Sequence, residues 1–368
     1  MKLKGHRDLD IYYPGHWGSW DRRDPEDAGM DSRLLEEAAA FASDPEHETS
    51  RPVDLGPFLA TVRSKNYHDD GEILGPTKPR GGMNGLILRH GYIVAEWGDT
   101  RRVDMTFSVT KSYLSTLAGL ALERGLIRDV HDRLGDYVDD GGYDAPHNAK
   151  ITWHHSLQQT SEWVGTLWGK HHFAGRDETK VREPEEPGTF FEYNDARVNR
   201  FALSLLHVWR RPLPQVLKEL VMDPLDASPT WRWYGYRNSW VTIDGLRMQS
   251  VSGGGHWGGG MQISTRAHAR FGLLFLRRGK WKGRQIVPES WIDVAMTPGD
   301  VNPSYGYMWW LDPNPRDPKE PATVYSARGA GGNRIWVDTE KDLVVVVRWL
   351  AADRFEGFLK RVTKAIKT

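Results

Sequence analysis

Thr106-Phe107-Ser108-Val109-Thr110-Lys111 runs directly into Ser112-Tyr113-Leu114-Ser115-Thr116-Leu117-Ala118-Gly119-Leu120-Ala121-Leu122. Leu114, Leu117, Ala118, Ala121 and Leu122 recur at three- and four-residue spacing, which predicts a buried helix. Ser108 and Lys111 stand nearly one helical turn apart at its head, so their side chains project from one face. A hydroxyl that must lose a proton then sits beside an amine that can take one. The free N–H groups of the first turn offer a partly positive end where an oxyanion could form. This is the arrangement of an activated serine nucleophile, and it points to acyl transfer. Ser-x-x-Lys by itself is also a common solvated helix start. The apolar helix behind it argues for burial, and desolvation would lower the lysine pKa and suit it to proton abstraction.

Outward from this helix, Gly85 to Trp97 reads as a hairpin, two β-rich runs about a turn at His90-Gly91. Residues 1–80 are rich in Pro, Gly and charge, with one helix at Ser32 to Phe41, and read as an N-terminal arm packed on the body. From about 130 to 250 the signals are helices (Asn199 to Trp209, Leu213 to Val221) and long irregular loops. Helices recur at Thr265 to Arg277 and Pro288 to Met296. Strand-like runs follow at Tyr305 to Leu311, Thr323 to Ala327, Asn333 to Val337 and Leu343 to Trp349, and an amphipathic helix closes the chain from Arg354 to Ile366. This order predicts an α/β (α+β) fold in which both chain ends build one antiparallel sheet flanked by helices. Its units are 81–130 with 255–368 as the sheet domain, and 131–254 as a helical insertion.

The 368 residues carry 49 basic and 49 acidic side chains and no basic block, which argues against nucleic acid or an anionic membrane as partner. No apolar run approaches a membrane span, and the first residues lack the apolar core of a secretory signal, so the expected location is cytoplasmic. The absence of cysteine excludes disulfides and thiolate chemistry.

A second constellation is Pro187-Gly188-Thr189-Phe190-Phe191-Glu192-Tyr193-Asn194-Asp195, a Pro-Gly turn leading to a tyrosine ahead of another helix. Tyr193 is either a packed aromatic or, set against Ser108, a proton relay between nucleophile and leaving group. Ser-x-x-Lys opening a helix and Pro-Gly-x-x-Phe-x-Tyr, with Tyr193 85 positions after Ser108, resemble the serine β-lactamase fold. The similarity is greatest to the branch of class C β-lactamases, D-alanyl-D-alanine carboxypeptidases and family VIII-type esterases. It extends over Gly258 to Gly272 and Gly329 to Asp338, from about residue 83 to the C-terminus.

The resemblance implies that Ser108 is acylated, that Lys111 shares its proton, and that Tyr193 is base toward Ser108 and acid toward the leaving group. It also implies an oxyanion hole of the Ser108 and Ala330 backbone N–H groups, with no metal and no cofactor. Two departures stand out. Asp195 occupies the place of the usual asparagine of Tyr-x-Asn. It either shifts the burden of proton removal to Tyr193 or pins Lys111 as a structural ion pair. Ala327-Arg328-Gly329 replaces Lys-Thr-Gly, so a partner for a substrate carboxylate is missing, and strand alternation turns Arg328 away from the face of Ala327.

Gly253-Gly254-Gly255-His256-Trp257-Gly258-Gly259-Gly260 lacks the P-loop Lys-Ser/Thr and reads as a site of close backbone approach, with His256 a loop histidine or a substrate contact. Trp163 and Trp168 are a hydrophobic brace or, with Trp257 and Trp309, an aromatic pocket for apolar acyl or leaving groups. The doublets His154-His155 and His171-His172 lack a third ligand at metal spacing. The expected function is a serine hydrolase of small esters or amides. The alternatives are a β-lactamase or D,D-peptidase, and a catalytically silent binding protein of the same fold. Oligomeric state has no signature in the sequence.

Overall fold

The structure, a computed structural model, describes residues 11–67, 71–173, 182–314, 317 and 319–367. The first ten residues of the arm lie outside the described residues. In chain order α1 (Ser32–Phe41) and α2 (Leu55–Tyr67) precede β1 (Asn84–Arg89) and β2 (Tyr92–Trp97). Then come β3 (Val103–Met105), α3 (Thr110–Glu123), α4 (Trp153–Leu157) and the two-residue strands β4 (Thr166–Leu167) and β5 (Lys170–His171). α5 (Asp195–Trp209) and α6 (Leu213–Leu217) lead to β6 (Arg232–Ile243), β7 (Leu246–Val251), β8 (Gly260–Ser264) and α7 (Thr265–Leu276). The small hairpin β9 (Lys280–Trp281) and β10 (Arg284–Gln285) and α8 (Glu289–Met296) are followed by β11 (Trp310–Asp312), β12 (Val324–Gly329), β13 (Asn333–Asp338), β14 (Leu343–Arg348) and α9 (Phe355–Lys364).

Both chain ends meet in one antiparallel sheet of order β11-β12-β13-β14-β1-β2, the mixed α and β architecture expected. β1 turns into β2 at His90 and Gly91, both with positive φ, the backbone of a tight hairpin that matches strand twist. Alternate residues face opposite sides. Leu86, Leu88, Ile335, Val337, Val344 and Val346 join the large core with α3 and α7, while Ile87, Trp336, Val345 and Val347 pack against α1 and α9. Burial on both faces is why Leu343 to Val347 is an unbroken apolar run rather than an alternating one.

One stretch departs from expectation. Residues 232–251 form a long hairpin within a second sheet, β3-β8-β6-β7, rather than helix or loop. Asp244 and Gly245 close it with φ of 52° and 76°. Asp-Gly between runs rich in Trp, Tyr, Val and Ile is a hairpin signal that the surrounding helical pattern outweighed.

The two sheets are joined at Arg348, which is 1% exposed at the end of β14. Its Nη1 donates to the Ile263 carbonyl at 2.9 Å, its Nη2 to the Met105 carbonyl at 2.7 Å, and its Nε to Asn333 Oδ1. This places β3, and the turn that follows it, against the Gly329 end of β12, beyond that strand's pairing with β11.

Candidate active site

The turn after β3 is built from local hydrogen bonds. Thr106 N–H donates to the Met261 carbonyl at 3.0 Å, and Thr110 Oγ1 donates to the Phe107 carbonyl at 2.6 Å. Thr106 Oγ1 and the Tyr113 hydroxyl contact the two ring nitrogens of buried His268 at 2.7 and 2.9 Å. Burial holds that imidazole pKa well below its usual value. Phe107 has φ of +50°, a conformation L-residues adopt at a cost, and Phe107–Val109 forms a single 3-10 turn ahead of α3. Ser108 therefore stands at the tip of a strained turn, partly exposed, rather than within the α-helix itself.

Lys111 is 1% exposed and its Nζ donates to Ser108 Oγ at 2.8 Å and to Asp195 Oδ1 at 2.5 Å. Asp195 opens α5, whose N-cap Asn194 accepts from Arg197 N–H at 3.1 Å. Burial opposes ionisation of Asp195, yet Lys111, Lys170 and His256 hold its carboxyl well below the usual range. The glycine-rich loop explains itself at Gly254. A Cβ there would stand 2.4 Å from Asp195 Oδ1 and 2.9 Å from Lys111 Nζ, so bare backbone seals this ion pair. Both obstructing atoms are side-chain ends, so Gly254→Ala should displace the pair rather than the backbone. The expected outcome is a loss of about 100-fold in kcat/KM with a melting temperature near that of the wild type. Wild-type turnover in the variant would contradict this packing.

Tyr193 is brought to Ser108 by a clamp on the preceding loop. Asn194 N–H donates to Gln159 Oε1 at 2.8 Å, Glu192 N–H to the Gln159 carbonyl at 3.0 Å, and Gln159 Nε2 to the Tyr305 hydroxyl at 2.8 Å. The tyrosine ring lies 5.5 Å from Trp310 and edge-on to Tyr305 at 6.0 Å, and Lys111 Nζ is 4.8 Å from its centroid. Its hydroxyl hydrogen-bonds Ser108, and burial of that end together with Asp195 pushes its pKa upward. The rest of the ring is open to solvent, with 36% of the residue exposed. Gly329, ending β12, packs on the nucleophile turn so closely that a Cβ would lie 2.2 Å from the Thr106 carbonyl oxygen and 3.2 Å from the Ser108 nitrogen. Ala330 follows it in an exposed turn.

Ser108, Lys111, Tyr193 and Asp195 thus converge, with Gly329-Ala330 alongside. His256 joins them from behind, its Nδ1 4.0 Å from Asp195 Oδ2. The tryptophans do not form one pocket. Trp309 is 0% exposed, enclosed by Phe271, Phe275 and Tyr325, and has no surface to offer a substrate. Its neighbour Trp310, the first residue of β11, takes that place, its ring 5.5 Å from that of Tyr193. Trp163 and Trp168 line a separate cavity of about 720 Å³ with Arg200, His207 and Val241, and neither Ser108 nor Tyr193 borders it. Trp257 is buried under Arg63 and Lys170. His154 packs on the Tyr307 hydroxyl at 2.6 Å and His171 on Thr166 Oγ1 at 2.7 Å. Gln159, Lys170, Tyr305 and Trp310 are the site neighbours sequence reading missed. Only Trp310, beside a named tryptophan on a strand, carried a usable signal.

The sequence model of the beta-lactamase family matches residues 80–354, which contain every residue of this site. The chain belongs to the beta-lactamase family. Known structures agree at the level of fold. The beta-lactamase/D-alanine carboxypeptidase of Pseudomonas syringae superposes with a TM-score of 0.56 over 85% of this chain and 100% of that one, at 13% identity. A penicillin binding protein from Bacillus halodurans does so with a TM-score of 0.55 over 83% and 98%, at 15% identity. An uncharacterised protein of Alkalihalophilus pseudofirmus is 25% identical over 161 residues, a match spanning 41% of this chain and 42% of that protein. Within this beta-lactamase-family chain, no described helix is long and apolar enough to cross a membrane.

Proposed function

We propose that this protein is a serine hydrolase that cleaves small esters or amides through an acyl-Ser108 intermediate. One observation carries the reading: a partly exposed serine hydroxyl receives the Lys111 Nζ at 2.8 Å and hydrogen-bonds the Tyr193 hydroxyl. The Asp195 carboxylate pairs with the Lys111 amine, and the proton transfers are assigned to Tyr193. A phenol of raised pKa is a poor resting base but a good relay. As Ser108 Oγ bonds to the substrate carbonyl carbon, its proton passes to the Tyr193 oxygen while Tyr193 gives its own to the leaving alcohol or amine. The bond from carbon to that leaving group breaks, and water repeats the sequence in reverse to release the acid. The Ser108 and Ala330 N–H groups are the assigned donors to the oxyanion.

Stoichiometric modification of Ser108 by a fluorophosphonate, located by mass spectrometry of the folded protein, tests this reading. Failure of the native protein to be modified would remove it.

A second reading, carboxylate-bearing lactams or peptides as substrates, is favoured by Arg328. Its guanidinium lies 5.1 Å over the Trp310 ring that touches Tyr193, and no described carboxylate forms an ion pair with it. This cation sits near the tyrosine although Lys-Thr-Gly is absent. Nitrocefin turnover that disappears in both Ser108→Ala and Arg328→Met would favour this second reading over neutral esters.

A further inference from the structure

The Lys111–Asp195 pair is the near end of a longer row of buried polar groups. Lys170, on the short strand β5, is fully buried, and its Nζ donates to His256 Nδ1 at 2.9 Å. That same nitrogen lies 4.0 Å from Asp195 Oδ2, while Asp195 Oδ1 holds Lys111. Among the described residues Asp195 is the carboxylate that acts on Lys170, because its hydrogen bond goes to an imidazole. Two lysines from different parts of the chain therefore share one aspartate. An asparagine at 195 would leave two ammonium groups in one low-dielectric space without a counter-charge.

We infer that Lys170, seated on His256, is a positioning residue of the catalytic centre: its charge makes an aspartate necessary at 195 and, through Asp195, sets the alignment of Lys111 beside Ser108. The inference rests on the acyl-serine reading for its activity readouts. It accounts for the departure at position 195, since an aspartate there divides its two oxygens between Lys111 and the His256–Lys170 pair.

Charged and titratable groups surround this row. Lys111 faces it from α3, Asp195 from α5, His256 from the glycine-rich loop, Arg63 from α2, Arg51 from the loop before α2, and Tyr193 and Tyr305 from across Asp195. Burial, with Lys111 and Arg63 adding to it against Asp195, lowers the Lys170 pKa to about 8. Lys170 and burial together lower His256 to about 3, so Nδ1 of a neutral ring accepts from the ammonium. Deprotonation of Lys170 in this range leaves Asp195 to Lys111 alone and changes how that lysine is held beside Ser108.

The experiment is a double-mutant cycle read as pH profiles of kcat/KM for a p-nitrophenyl ester. Lys170→Met is expected to abolish a decline near pH 8 present in the wild type. Asp195→Asn alone is expected to lower kcat/KM by about 100-fold, and Lys170→Met in the same chain to restore at least about tenfold of it. His256→Leu, which removes the acceptor for Lys170, should copy Lys170→Met. Melting curves accompany each variant, and Lys170→Gln replaces Lys170→Met if the latter does not fold. Independent effects in the cycle, with the decline near pH 8 kept in Lys170→Met, would overturn the inference. Fluorophosphonate modification run in parallel separates the two ideas. A wild type that is not modified removes the acyl-serine reading, and a modified wild type with an additive cycle removes the Lys170 inference alone.

Discussion

Ser108→Ala is expected to lower kcat by about 10⁴-fold or more while leaving substrate affinity within a few-fold. The reason is geometric. Lys111 keeps its 2.5 Å pairing with Asp195 without Ser108, and the Gln159 clamp holds the Tyr193 loop through backbone and amide contacts that do not involve the nucleophile. The variant loses a reacting oxygen and little structure. Because Ser108 is only partly buried, its truncation opens no interior cavity, and the melting temperature should stay near that of the wild type. Steady-state kinetics with p-nitrophenyl acetate and a melting curve give both numbers. A Ser108→Ala protein that hydrolyses the ester at the wild-type rate would assign the turnover to another group and dismiss the covalent mechanism.

The largest loss of stability is expected at Arg348, far from any substrate. Arg348→Met keeps most of the volume but withdraws donors from the Ile263 and Met105 carbonyls and from Asn333, all in the interior between the two sheets. Burial lowers the pKa of this guanidinium to about 10, with Asp104 opposing the shift, so it is charged throughout the ordinary pH range. Removing one partner of a buried charged network costs about 3–5 kcal/mol, far more than the network contributes over an apolar replacement. Urea unfolding should show a lower midpoint at unchanged slope. Arg348→Lys should recover only part, since one ammonium cannot reproduce a fork that reaches three acceptors. An unfolding free energy within about 1 kcal/mol of the wild type would show that β3 and β8 are held to β14 by other contacts. Activity should fall with stability, because Met105 leads into the Ser108 turn.

Much of the fold is legible because local chemistry and burial agree. The His90-Gly91 hairpin, the strands from Val324 onward and the closing helix carry periodicities that match what the core requires of them, whereas the expected strand Tyr305 to Leu311 is extended only from Trp310. The hairpin at 232–251 is harder to read because its residues are half exposed and the flanking segments are helical. α2 is likewise unmarked, since its apolar residues do not fall on one face.

The catalytic candidates divide along the same line. Ser108 and Lys111 are one turn apart in the chain, so a local rule brings them together. Tyr193 and Asp195 reach them from a distant loop, and the motif around Tyr193 marks that loop. Lys170 lies in no motif: it is a single lysine between Gly169 and His171, and becomes meaningful only because β5 places it behind Asp195. The choice between Trp309 and Trp310 turns on which face of one strand meets the core. That choice depends on the register of β11 against β12, where Trp310 pairs with Ser326.

Chemical identity and short-range spacing alone put forward Ser108 and Lys111 as a candidate pair, since that rests on covalent order and helical geometry, and the family resemblance added Tyr193. Which charges share a carboxylate, which tryptophan faces Tyr193, and which arginine joins two sheets were decided by folding alone. Those relations join residues tens to hundreds of positions apart, and burial sets their strength by removing the water that would otherwise screen them.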